Sequence, residues 1–140
     1  MKKPVVIAVV VSVVLHQVLG YLWYAVAPWA RTRVLALGLP ESELTTVNGA
    51  ALGMDIVGWI LASVMIAWLL QRLGRATVSS GMTLAVALWV GVALPAIAPH
   101  YAFAHIPASV MVVDLLNSLV TLIVTGAVLG AGLSREMTAA

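Results

Sequence analysis

The chain has 140 residues, 63% of them hydrophobic and only 9% charged, and its mean hydropathy is +1.11. A soluble domain carries about 25% charged residues, so this chain cannot cover a water-facing surface, and its hydrophobicity equally excludes disorder. A formal charge of +2 is too small for a nucleic-acid binder, and with no cysteine there is no disulfide framework, thiolate nucleophile or thiolate metal site.

What remains is a small integral membrane protein. A membrane helix needs about 20 mainly apolar residues, and four stretches qualify: Pro4–Ala27, Gly49–Leu73, Ser80–Phe103 and Ala108–Leu133. They predict an all-α fold, a four-helix bundle running up-down-up-down as one transmembrane domain over residues 1–140. The first stretch follows Lys2 and Lys3 and ends in an Ala25-Val26-Ala27 triplet like a signal-peptide cleavage site. Its apolar run exceeds the usual length, His16 and Gln17 interrupt it, and Pro28 would follow the cut, so a retained helix is expected.

The connector 28–48 is the only long loop. Trp29 is expected at the membrane interface, with Val34–Leu39 as a short amphipathic turn beside it. Pro40, Glu41 and Glu43 have the pattern of a helix start. In the third stretch, Pro95 and Pro99 stand four apart and should kink the helix, freeing backbone carbonyls. Such irregular backbone is tolerated only where it is buried in protein or lines a cavity. Orientation follows from Lys2, Lys3, Arg72, Arg75 and Arg135 on one side, against Arg31 and Arg33 on the other. That bias puts both termini of a multi-pass protein in the cytoplasm.

Gly20-Tyr21-Leu22-Trp23-Tyr24, Trp29 and Gly38-Leu39 with acids after it resemble the first half of the DUF1761 family of small bacterial membrane proteins. Leu88-Trp89-Val90-Gly91 and Gly126-Ala127-Val128-Leu129-Gly130 resemble its second half. The resemblance implies a four-helix membrane fold and brings no assigned biochemistry. Asp114 and Asn117 depart from the family pattern, which points to a specialised member.

Ionisable groups inside spans are costly, roughly 2.5–3.5 kcal/mol each at a helix centre, yet the chain keeps His16, Asp55, His100 and Asp114. Asp55, Asp114 and Tyr21 each lie roughly 9 Å inside the outer ends of their spans. The outer half of every span thus carries a polar group, and the inner half is almost purely aliphatic. Helical spacing aligns Asp114, Asn117, Ser118, Thr121 and Thr125 on one face of span four. It aligns His16, Gly20, Trp23 and Tyr24 on span one, Asp55 with Trp59 on span two, and Trp89, Ala93, Ala96 and His100 on span three. The expectation is an outward-opening pocket floored by Trp23, Trp59 and Trp89.

Two carboxyls in such a place suit acid–base chemistry, because burial and a neighbouring like charge raise one pKa. Asp55, Asp114 and His100 are the candidate catalytic groups. Tyr21, Trp23, Trp59, Trp89, Asn117 and His16 are the candidates to bind a lipophilic small molecule. The alternative for each Asp is a hydrogen bond that only fastens the bundle. Haem ligation by His16 and His100 is disfavoured by their difference in depth, roughly 10 Å. A metal site from His100, His105 and an Asp lacks a recognised ligand spacing, so neither metal nor other cofactor is expected. Gly49-xxx-Gly53 and Gly126-xxx-Gly130 are faces for close helix contact, including contact in a homodimer. The leading expectation is a lipophilic-ligand pocket capable of isomerisation, cyclisation or epoxide opening. A proton-coupled dimeric transporter and a structural or assembly protein are the competing classes, and membrane lipid is the expected surrounding partner.

Overall fold

Hydrocarbon offers the backbone no hydrogen bonds, so an apolar run must close its own ladder. In the computed structural model, which describes residues 3–74 and 76–138 and the side chains of residues 3–74 and 76–134, every long element is helical. Helix α1 (Lys3–Tyr21) continues through a π-helical turn, Leu22–Val26, and the short α2 (Trp29–Ala36) follows Pro28. After a 3-10 turn at Glu41–Leu44 come α3 (Gly49–Arg72) and α4 (Val78–Leu88). A second π-helical turn, Trp89–Ala93, leads into α5 (Leu94–Phe103), and the last helix is α6 (Ala108–Thr138). Lys3–Val26, Glu41–Arg72, Val78–Phe103 and Ala108–Ser134 are long and apolar enough to cross a membrane, in agreement with the four expected spans.

Local chemistry sets the ends. The Asn48 side chain accepts from the Ala50 and Ala51 amides at the start of α3, and α3 stops at Gly74, whose φ of 62° suits a residue without a Cβ. At α4, the Thr77 hydroxyl accepts from the Ser80 amide while the Ser80 hydroxyl accepts from the Thr77 amide, a reciprocal cap. Thr77→Ala is therefore expected to cost about 1 kcal/mol, measurable as a lower unfolding midpoint in detergent, and an unchanged midpoint would show that the cap is idle.

Two findings qualify the expected layout. The amphipathic turn begins earlier than Val34, because α2 starts at Trp29 and buries Ala30 and Val34 against the bundle. Of the residues used for orientation, Lys2 and Arg75 lie outside the described residues, as does the side chain of Arg135.

Helix α6 is the centre of the packing and touches α1, α2, α3, α4 and α5. At one end of the bundle, Val5, Ala8 and Val9 meet Ile66, Ala67 and Leu70, together with Ala76, Leu129 and Leu133. Ser12 and Ser63 bond each other at 3.0 Å within this interior. Here α4 and α6 approach backbone to backbone, since a Cβ on Gly81 or Gly126 would overlap the other's carbonyl. The Gly126-xxx-Gly130 face is thus filled inside the chain, with Thr77 against Gly130, whereas Gly49 and Gly53 face open space. This closed, aliphatic end matches the half expected to lack polar groups.

Candidate functional site

The other end of the bundle is not filled. A hollow of about 890 Å³ lies between α1, α2, α3, α5 and α6. Helix α1 contributes His16, Gln17, Gly20 and Tyr21, with Tyr24 from its π turn. Arg33 comes from α2, Asp55 and Trp59 from α3, and His100 and Tyr101 from α5. Helix α6 adds Asp114, Asn117, Ser118 and Thr121, the face that its three- and four-residue spacing put together. A second hollow of about 480 Å³, between the first turns of α1 and the later part of α6, is lined by Lys3 and apolar side chains such as Ile7 and Val11. Apart from Lys3 its lining carries no ionisable side chain.

Within the larger hollow the two carboxylates do not pair with each other, as an acid–base couple of aspartates would; each has its own partners. Asp114 receives Arg33 in two parallel bonds, Nε to Oδ1 at 2.8 Å and Nη2 to Oδ2 at 2.9 Å. The Tyr101 hydroxyl donates to the same Oδ2. Arg33 lies over the Tyr24 ring, 4.6 Å from its centroid, and Asn117 Nδ2 donates to the Tyr24 hydroxyl at 3.1 Å. This fork geometry is the strong form of an ion pair. Burial works against the Arg33 charge, but the Asp114 hydrogen bonds and charge, with Tyr24 and Tyr101 beside them, outweigh it and raise the guanidinium pKa above its ordinary value. With Asp114 only 9% exposed and Arg33 24%, the pair is a fastener between α2 and α6.

Asp55 stands differently. Its side chain is 48% exposed. Gln17 Nε2 donates to its Oδ2 at 2.7 Å, and His16 Nε2 donates to the same oxygen at 3.0 Å. The imidazole stacks on Trp59 at 3.8 Å and 14° between planes, and Trp59 is itself fixed by its Nε1–H donating to Thr125 Oγ1 at 3.2 Å. A carboxylate that bonds one ring nitrogen sets the tautomer and plane of the imidazole. His16 Nδ1 is buried with no hydrogen-bond partner, as is Asn117 Oδ1.

The expected residues therefore divide. His16, Tyr21, Asp55, Trp59, His100, Asp114 and Asn117 all line one hollow. Trp23 and Trp89 do not, contrary to the expected floor. Trp23 packs against Trp29 with ring centroids 4.7 Å apart and donates to the Val113 carbonyl at 3.1 Å. Trp89 donates to Ser118 Oγ at 2.8 Å. The reason at Trp89 is the π turn. Pro95 has no N–H to return to a carbonyl one α-turn back, and the chain adopts five-residue bonds there, such as Leu94 N–H to the Trp89 carbonyl. The extra residue turns the later face by about 100° relative to the earlier one. Ala96 and His100 consequently reach the hollow while Trp89 does not.

Arg33, Tyr24, Tyr101 and Gln17 complete the site and were not among the expected site residues. The signal for Arg33 was present. An acid deep in span four needs a cation, no span carries one near it, and Arg31 is taken by Glu41 at 2.6 Å. Among the described residues no cluster of three or more His, Asp or Glu could hold a metal ion.

An all-helical chain with four membrane-long apolar helices is a multi-pass membrane protein. A family model described as "Protein of unknown function (DUF1761)" matches residues 7–130, and the chain belongs to that family. No curated protein and no solved structure matches it.

Proposed function

We propose that this protein binds a lipophilic small molecule in the hollow at the open end of its bundle, with the ligand's polar end at the Asp55–His16 couple. The reading includes one domain over residues 1–140, helices running up-down-up-down and both termini in the cytoplasm. It also includes a hollow facing the extracytoplasmic leaflet of a bacterial inner membrane. The observation that carries it is the grouping of polar side chains from all four spans around one open space, where a filled apolar interior would be cheaper to insert.

Any proton exchange belongs to Asp55 and His16. Asp55 is half-exposed beside the space a ligand would take and His16 backs it, whereas Asp114 is fully engaged. Tyr21 and His100 complete the wall, and Asn117 orients Tyr24. A bound molecule able to accept or lose a proton at that couple would meet general acid–base chemistry without a resident cofactor.

Gly20 supplies the test. It lines the hollow, and nothing lies within 4 Å of a Cβ placed there. Gly20→Leu should fold and put a side chain into that space. Native mass spectrometry of gently extracted protein is expected to show an adduct on the wild type that Gly20→Leu loses. Identical adducts on the two proteins would overturn the proposal.

A further inference from the structure

The charges around the hollow do not balance. Among the described residues Arg33 is the only arginine or lysine on its wall, and it is consumed by Asp114 in both bonds and by Tyr24 on its face. Asp55 is left to His16 and Gln17. Gln17 is neutral. An imidazolium would carry N–H on both nitrogens, and the buried Nδ1 of His16 has nothing to accept such a proton. The neutral ring, with Nε2–H on Asp55 and a bare Nδ1, fits this surrounding. Both donors converge on Asp55 Oδ2, and the other carboxylate oxygen has only the same imidazole at 3.3 Å. One carboxylate oxygen thus remains largely unoccupied, on a side chain 48% exposed, beside aromatic walls.

We propose that the hollow selects a lipophilic cation, such as a protonated or quaternary amine with apolar substituents, and that the Asp55 carboxylate is its counterion. This rests on the ligand-binding reading above and narrows its ligand class. In a low-dielectric setting a carboxylate without a counter-charge is costly, and a ligand that brings the positive charge removes that cost. An anion would meet Asp55 with like charge and find Arg33 already paired. A neutral ligand would leave the carboxylate as it is. Tyr21 and the indole of Trp59 supply the polarisable apolar surface that cations with bulky substituents favour.

The experiment measures binding by equilibrium dialysis to the full chain in detergent at pH 8, where an imidazole of ordinary basicity is uncharged. The probes are tetraphenylphosphonium, the neutral triphenylphosphine oxide and the anion tetraphenylborate. The cation is expected to bind the wild type at least about tenfold more tightly than the neutral probe. Asp55→Asn should erase that preference and Asp55→Glu should keep it. Equal binding of cation and neutral probe, or a cation affinity unchanged in Asp55→Asn, would overturn the cation assignment and leave a hollow for neutral ligands. Failure of the underlying reading looks different: no probe of any charge binds in a way that Gly20→Leu abolishes, and both proposals then fall. If Asp55→Asn does not fold, the wild-type preference among the three probes decides.

Discussion

Arg33→Ala is expected to lower the stability of the folded bundle by about 3 kcal/mol. The substitution strands Asp114, 9% exposed, with only neutral hydroxyl partners such as that of Tyr101. Most of the loss comes from the uncompensated carboxylate and not from the vanished attraction, so a paired change distinguishes the two. Arg33→Met together with Asp114→Leu removes both charges at similar volume and should recover most of the stability. Reversible unfolding in mixed micelles, followed by tryptophan fluorescence, reads both variants. A single-variant loss below about 0.5 kcal/mol, the range of a surface pair, would show that the pair holds nothing together.

Gly126→Leu should be as damaging for a different reason. Any Cβ at this position enters the Gly81 carbonyl group and also reaches the Ala85 side chain. The obstacle is backbone, which cannot rotate out of the way, so α4 and α6 must separate along their contact. Overpacking of this kind costs about 3 kcal/mol. Gly53→Leu is the matched control, since nothing lies within 4 Å of a Cβ there, and its unfolding midpoint should not fall. Equal tolerance of the two substitutions would mean that the helices do not meet where the glycines place them.

The spans were legible because hydropathy over some twenty residues leaves little choice of structure, and their limits agree with the helices to within a few residues. The site was legible to the extent that depth and helical phase act on one helix at a time. His16 with Gly20, Asp55 with Trp59, and Asp114 with Asn117 each share a face by simple spacing, and each pair lines the hollow. Phase failed at Trp89, because one π-helical turn resets the count for everything after it. Partnership between helices failed as well. A carboxyl at suitable depth looks alike whether it meets another carboxyl or a guanidinium, and the Arg33 partner sits on a connector, where cations ordinarily mark the membrane edge. Only the absence of a cation on any span near Asp114 pointed to it.

The central helix follows all the helices it supports in chain order. Helix α6 provides the main surface for α1, α4 and α5, while α1 and α3 also meet each other directly. Before α6 is made, the earlier segments therefore have the α1–α3 contact and little else. Arg33 must wait for a partner 81 positions later in the chain. Until α6 is made its charge stays with water or lipid headgroups, so docking of α2 waits for α6. Truncation before α6 would leave an α1–α3 pair, joined at Ser12–Ser63 and His16–Asp55, beside helices that have lost their main support.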